Sequence, residues 1–128
     1  MDSRFEQPLQ EVLDLRMGFG HREHLLLAWT YLQLGDLDTA QQWMCQAVRH
    51  TASSHGTPEK YHETLTIAWT RIVAAHTRAG DRPTFDEFLI ENPHLLDRHL
   101  PELHFSKELL WSEHARRSWA EPDIQAIP

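Results

Sequence analysis

Three histidines near predicted helix starts are the side chains in this sequence best suited to chemistry. His21 and His24 stand three positions apart, so both rings lie on one face of a helix. His62 follows Thr57 and Pro58, a pair that is typical of a helix start. Neutral imidazole binds transition metals and also serves as a general base. Ten histidines in 128 residues exceed what packing requires, so we interpret this group as a candidate site.

Hydrophobic spacing indicates the helices that must position these histidines. Apolar residues recur at three- and four-residue intervals, which predicts an all-α fold built as a compact bundle. The main helices are expected at about residues 21–34, 37–54 and 58–79. Short connections make successive helices antiparallel, so the first and the third should begin at the same end of the bundle. The three histidines are therefore expected to converge there.

Shorter helices are predicted on both sides of these three. Thr84, Ser106 and Ser112 are expected to be the N-caps of short C-terminal helices, because each precedes residues typical of a first helical turn. A further helical turn is expected at 94–99, and an N-terminal helix at about 6–16.

The chemistry expected of the histidine group is metal binding. Three nitrogen ligands with an open position suit zinc, copper or iron. Helix N-termini disfavour a protonated imidazole, so His21, His24 and His62 should stay neutral and able to bind metal near pH 7. A fourth ligand would be Asp123, from a tail that folds back, or His104. The alternatives are histidines that only cap helices and bond loop carbonyls, or a metal-free pocket with a histidine general base.

The remaining histidines and the tryptophans are interpreted as structural residues. His76 is expected on the core side of the third helix with its hydrogen bonds satisfied, and His94 and His99 at the surface. Trp29 and Trp69 fall on the apolar stripes of their helices, where either could also wall a pocket.

Composition argues against several classes of protein. The formal net charge of -7 argues against binding a nucleic acid backbone. No apolar run reaches the roughly 18 residues of a membrane span, and the first residues predict neither a signal nor a transit peptide. The one cysteine, Cys45, rules out an internal disulfide and fits a reducing compartment. We therefore expect one cytoplasmic domain over residues 1–128. A small-molecule substrate fits this reading, and the sequence leaves the oligomeric state open.

Residues 24–50 resemble a single tetratricopeptide-like helical hairpin. Residues of that repeat's large and small types stand at Leu27, Ala28, Tyr31, Gly35, Asp36, Ala40 and Ala47. The resemblance implies a helical hairpin that stacks on a neighbour. It supports a competing function, a non-catalytic module that binds a protein or peptide. The pattern does not recur over 57–90, although solenoids need several repeats.

The whole chain also resembles an uncharacterised family of small bacterial all-helical proteins. The stretches that carry the resemblance are HREHL at 21–25 with AW at 28–29, KYHETLT at 60–66 with Trp69, then Ser106, Ala115-Arg116 and Pro122-Asp123. The resemblance implies that His21, His24 and His62 belong to a family signature. It implies no activity and no substrate.

The function predicted from these observations is that of a small metal-binding protein, most simply a metalloenzyme. His21, His24 and His62 would hold a divalent transition metal with positions open for water or substrate. The residues do not specify a reaction.

Overall fold

Every regular element among the described residues is helical, as the hydrophobic spacing predicts. The computed structural model describes residues 2–13, 19–77 and 83–128. Its α-helices are α1 (Ser3–Leu13), α2 (His21–Leu34), α3 (Leu37–Ser54), α4 (Glu63–His76), α5 (Phe85–Glu91), α6 (Lys107–Leu110) and α7 (Glu113–Arg117). Short 3-10 helices lie at Pro58–Lys60, Pro93–Leu96 and Leu100–Leu103.

The predicted bounds of the first two main helices are confirmed, and capping residues explain them. At the start of α2, the Gly20 N–H donates to the Glu23 carboxylate at 2.8 Å. At the start of α3, the Asp36 carboxylate accepts the Thr39 N–H, also at 2.8 Å. These bonds satisfy amides that a helix start would otherwise leave unpaired. The two-residue connection makes α2 and α3 a helical hairpin.

The third main helix begins later than predicted. Residues 58–60 form a separate 3-10 turn, and Tyr61 and His62 are extended, so α4 begins only at Glu63. The reason is that the His62 ring itself caps the helix, because its Nδ1 accepts the Leu65 N–H at 3.0 Å. His62 is therefore the N-cap of α4, and the prediction that places it within a helix over 58–79 is wrong.

Two other predicted bounds are only partly covered by the described residues. α4 ends at His76, and Thr77 is no longer helical. The rest of the predicted third helix, to 79, lies outside the described residues. α1 begins at Ser3, earlier than the predicted start at 6, and its predicted end at 16 also lies outside them.

Short helices in the C-terminal third begin at hydroxyl side chains, as predicted. In each, the hydroxyl oxygen accepts the backbone N–H three residues further on, and the three caps are Thr84, Ser106 and Ser112. The turn expected at 94–99 forms as the 3-10 helix Pro93–Leu96. A proline at the first helical position suits such a turn, since its missing N–H would have had no partner there.

A buried threonine fixes the end of the chain against α4. The Thr64 hydroxyl donates to the Ser118 carbonyl at 2.8 Å and accepts the Ala120 N–H at 3.0 Å. Thr64 is fully buried, so both bonds form away from water. They hold α7 and the segment after it on the bundle.

The core lies where α2, α3 and α4 pack together. Its largest fully buried side chains on these helices include Tyr31, Leu25, Leu27, Met44 and Val73. The Tyr31 hydroxyl donates to the Phe5 carbonyl at 2.7 Å and so ties α1 to this core. None of the helices in the described part of the chain combines the length and the apolar character needed to cross a membrane.

Candidate functional site: an imidazole pocket

A cavity of about 700 Å³ lies at the end of the bundle where α2 and α4 begin. We call it the imidazole pocket. The polar and aromatic residues of its wall are His21, His24, His62, His99, Lys60, Arg98, Thr66, Phe19, Trp69 and Trp111. Aliphatic side chains of α2, α3 and α4 complete the wall. The three histidines singled out by their sequence positions therefore line one cavity.

His21 is oriented by a backbone carbonyl. Its Nε2 lies 2.8 Å from the carbonyl oxygen of Leu95. Because a carbonyl only accepts hydrogen bonds, Nε2 carries the proton, and Nδ1 of the neutral ring keeps its lone pair. The ring also makes an edge contact with Trp69, with centroids 4.6 Å apart. A fixed tautomer of this kind is found in imidazoles that bind metal or act as bases.

His24 differs from the other pocket imidazoles in its hydrogen bonding within the described part of the chain. Its ring packs against Phe19 at a centroid distance of 4.4 Å, and no side chain or backbone group of the described residues hydrogen-bonds it. Burial, and secondarily the nearby His21, lowers the pKa of His24 from 6.5 to about 4. The ring is therefore neutral at pH 7, with one N–H and one lone pair available to a ligand.

His62 is held at both ring nitrogens. While Nδ1 caps α4, Nε2 lies 2.6 Å from the Leu110 carbonyl and donates to it. His62 is 6% exposed, and the edge contact of its ring with Trp111 has a centroid distance of 5.5 Å. Burial is the main cause that lowers the pKa of His62. Coordination of a metal by His62 would require one of these two hydrogen bonds to break.

Two cationic side chains face the same cavity. Lys60, in the 3-10 turn before α4, and Arg98, before the 3-10 helix Leu100–Leu103, both line the wall. Neither makes a hydrogen bond or ion pair with any residue in the described ranges. The described wall contains no carboxylate, although the chain carries a net charge of -7. Local positive charge is thus concentrated beside His24, whose ring is neutral at pH 7.

Several residues of the pocket were not predicted from the sequence. His99, placed at the surface, is exposed but also lines the wall, where its Nδ1–H donates to Glu102 at 2.9 Å. Lys60 could have been found, because it lies two residues before His62. Arg98 and Trp111 gave no local signal, since they reach the pocket only through turns whose directions the sequence does not specify.

The two alternatives for a fourth metal ligand lie elsewhere. The Asp123 carboxylate accepts the Ser106 N–H and hydroxyl, each at 2.7 Å, and so pins the tail to the start of α6. The His104 Nδ1–H donates to the Gln125 carbonyl at 2.8 Å. Neither residue belongs to the wall of the imidazole pocket. Both hold the C-terminal tail.

Comparison of the chain with protein-family models, curated proteins and solved structures found no match. Among the residues that the structure describes, no three His, Cys, Asp or Glu side chains are arranged so that they could hold a metal ion.

The arrangement is suited to binding a molecule with both a charged and an apolar part. Ligand pockets typically have volumes of roughly 300–1,000 Å³ and mostly apolar walls with a few placed polar groups. The imidazole pocket has this volume and this kind of wall. His21 and His24 can exchange hydrogen bonds with a ligand, while Lys60 and Arg98 attract negative charge.

Proposed function

We propose that this protein binds a small organic anion, with an aromatic or aliphatic body, in the imidazole pocket. The observation that carries the proposal is the convergence of Lys60 and Arg98 with the neutral ring of His24 on one apolar-walled cavity. A carboxylate or phosphate group would contact the two cations. The apolar body would lie against Trp69 and Trp111.

The imidazoles supply the polar contacts of the bound molecule. His24, neutral at pH 7, offers a donor and an acceptor without repelling or attracting a charge. His21 is the better general base, because the Leu95 carbonyl holds its proton on Nε2 and leaves Nδ1 basic. If the bound molecule reacts, we assign proton removal to His21.

A matched pair of probes tests this proposal. Isothermal titration calorimetry at low salt should detect binding of 1-naphthyl phosphate and much weaker binding of neutral 1-naphthol. Because both cations are solvent-exposed, Lys60→Gln and Arg98→Gln should each weaken the binding of 1-naphthyl phosphate about two- to fivefold. The double variant should weaken it roughly tenfold. Added salt should weaken binding to the wild type.

The matched controls are the exposed Lys107→Gln and Arg117→Gln, outside the pocket wall, which should leave the affinity unchanged. Equal binding of the two probes, or equal effects of pocket and control variants, would contradict an anion site. So would failure of the phosphate probe to bind at all.

A second candidate function is metal binding by His21, His24 and His62, with zinc, copper or iron as the ion. The observation that favours it is the Nε2–H of His21 bonded to the Leu95 carbonyl, since metal-binding imidazoles usually donate their other N–H in this way. Neutral His24 would be a second ligand. His62 would have to release Leu110 or Leu65 to be the third.

Metal content decides this second candidate. His24→Leu removes a ligand but no hydrogen bond among described residues, so the variant should stay folded. Elemental analysis of untagged, metal-loaded protein should then show about one transition-metal ion per chain fewer in the variant than in the wild type. Equal metal content in both proteins, or none in the wild type after incubation with each ion, would exclude a site that depends on His24.

The interaction-module alternative is less well supported. The α2–α3 hairpin is packed against α1 and α4, so much of the surface that a stacked repeat would offer to a peptide is already occupied.

A cytoplasmic location remains part of the proposal. The pKa of Cys45 is raised to about 11, mainly by burial, so the lone thiol is protonated and weakly reactive at neutral pH.

A further inference from the structure

Two other histidines make a direct contact far from the imidazole pocket. His76 is the last residue of α4, and His94 belongs to the 3-10 helix Pro93–Leu96. Their Nε2 atoms lie 2.9 Å apart, with ring centroids 4.7 Å apart. His76 is half-buried and His94 is exposed. Neither lines the imidazole pocket.

Hydrogen bonding determines which nitrogens are available. The Nδ1 of His76 lies 2.8 Å from the Ile72 carbonyl and must donate to it. The Nε2 of neutral His76 therefore presents a lone pair to His94. The contact between the rings is made by the Nε2–H of His94, which is the only proton that can lie between them when both rings are neutral.

We propose that His76 and His94 form a site for a divalent transition metal, held through their two Nε2 atoms. An ion with metal–nitrogen bonds of about 2.0–2.1 Å separates its ligand nitrogens by about 2.9 Å at a right angle and about 3.4 Å at the tetrahedral angle. The observed separation of 2.9 Å falls at the edge of this range. Binding would move the His94 proton from Nε2 to Nδ1 or to solvent, and would require only a small displacement of either ring.

Ring orientation also suits a shared ion. A straight N–H···N bond would put the centroids about 5.2 Å apart, so the observed 4.7 Å means that the hydrogen bond is bent. The rings are inclined by 57° to each other, so they do not stack. Two nitrogens that do not point directly at each other form a weaker hydrogen bond, which an ion can replace at lower cost.

The position in the fold favours a cation. His76 ends a helix of 14 residues, where the backbone dipole carries partial negative charge. The His76 Nδ1–H bond to Ile72 fixes the ring, as carbonyl partners do for metal-binding imidazoles. Two imidazoles leave positions for water, and nitrogen ligands select zinc, nickel or copper over magnesium and calcium.

The test uses Zn²⁺ as the probe on untagged, chelator-treated full-length protein. Calorimetry should detect one site per chain, and Zn²⁺ at about ten times its Kd should raise the Tm by roughly 5 °C. His94→Gln, at an exposed position, should weaken the affinity at least about tenfold and abolish the shift in Tm. His24→Leu should keep both the wild-type Zn²⁺ affinity and the shift in Tm, which separates this site from the imidazole pocket.

The matched control is His55→Gln, an exposed histidine at the end of α3. Its Zn²⁺ affinity should equal that of the wild type. In the wild type, ¹⁵N spectra should show Zn²⁺ shifting the Nε2 resonances of His76 and His94 together. The proposal is overturned if His94→Gln binds Zn²⁺ as well as His55→Gln does, or if the wild type shows no saturable binding.

Discussion

Replacing His62 with alanine is expected to lower the free energy of unfolding by roughly 3 kcal/mol. The ring is almost completely buried and makes two hydrogen bonds that the methyl group cannot make. Loss of the N-cap at Leu65 accounts for about 1 kcal/mol. The Leu110 carbonyl, left without its donor in a buried setting, accounts for about 1–3 kcal/mol more. Urea denaturation at pH 7 measures the sum.

A second substitution at the same position separates the two bonds. In His62→Asn the amide oxygen can still accept the Leu65 N–H, since asparagine is a favourable N-cap, but the side chain is too short to replace the ring at Leu110. This variant should recover about 1 kcal/mol of the loss. A cost below about 1 kcal/mol for His62→Ala would show that the ring is not a structural link between α4 and α6.

This result bears on how metal experiments at His62 are interpreted. Loss of metal in His62→Ala would follow either from loss of a ligand or from loosening of the segment that carries Leu110. His24 makes no such bonds with described residues, so its replacement tests metal binding with less effect on the fold. His24→Leu is therefore the more informative variant for metal binding, because replacing His62 also removes two hydrogen bonds of the fold.

Helix starts with local signals were predictable from the sequence. Asp36, Thr84, Ser106 and Ser112 each accept an amide three residues further on, and the residue type alone indicates this. The start of α4 was not predictable in the same way. Thr57-Pro58 is a stronger local signal than a histidine cap, but it begins only a 3-10 turn, because the chain is extended at Tyr61 and His62.

The same distinction between local and long-range signals holds for the candidate site. Antiparallel packing of short-linked helices was enough to predict that His21, His24 and His62 lie at one end of the bundle. The roles of their nitrogens were not predictable, since the partners Leu95 and Leu110 are 74 and 48 residues away along the chain. The contact between His76 and His94 also joins separate elements, so the sequence analysis treated the two residues independently.

The second large effect expected is a loss of stability in mild acid that depends on His24. The pKa of this ring is lowered from 6.5 to about 4, so between these values the unfolded chain binds a proton that the folded chain does not. Stability from His24 is therefore complete above pH 6.5 and is lost as the pH falls toward 4. The difference between the two pKa values corresponds to a loss of roughly 3 kcal/mol in the free energy of unfolding. About 2–3 kcal/mol of this loss falls between pH 7 and pH 4.5. The lowered pKa of His62 acts in the same direction.

His24→Leu isolates this contribution, because leucine fills the position without titrating. The free energy of unfolding, measured in urea, should fall between pH 7 and pH 4.5 in both proteins. The fall should be about 2–3 kcal/mol smaller in His24→Leu than in the wild type. His55→Gln, at an exposed position, should keep the wild-type difference. A similar acid sensitivity in wild type and His24→Leu would mean that the ring is solvated in the folded protein. His24 would then be protonated in the folded protein below pH 6, and an anionic ligand would bind more tightly there because of that positive charge.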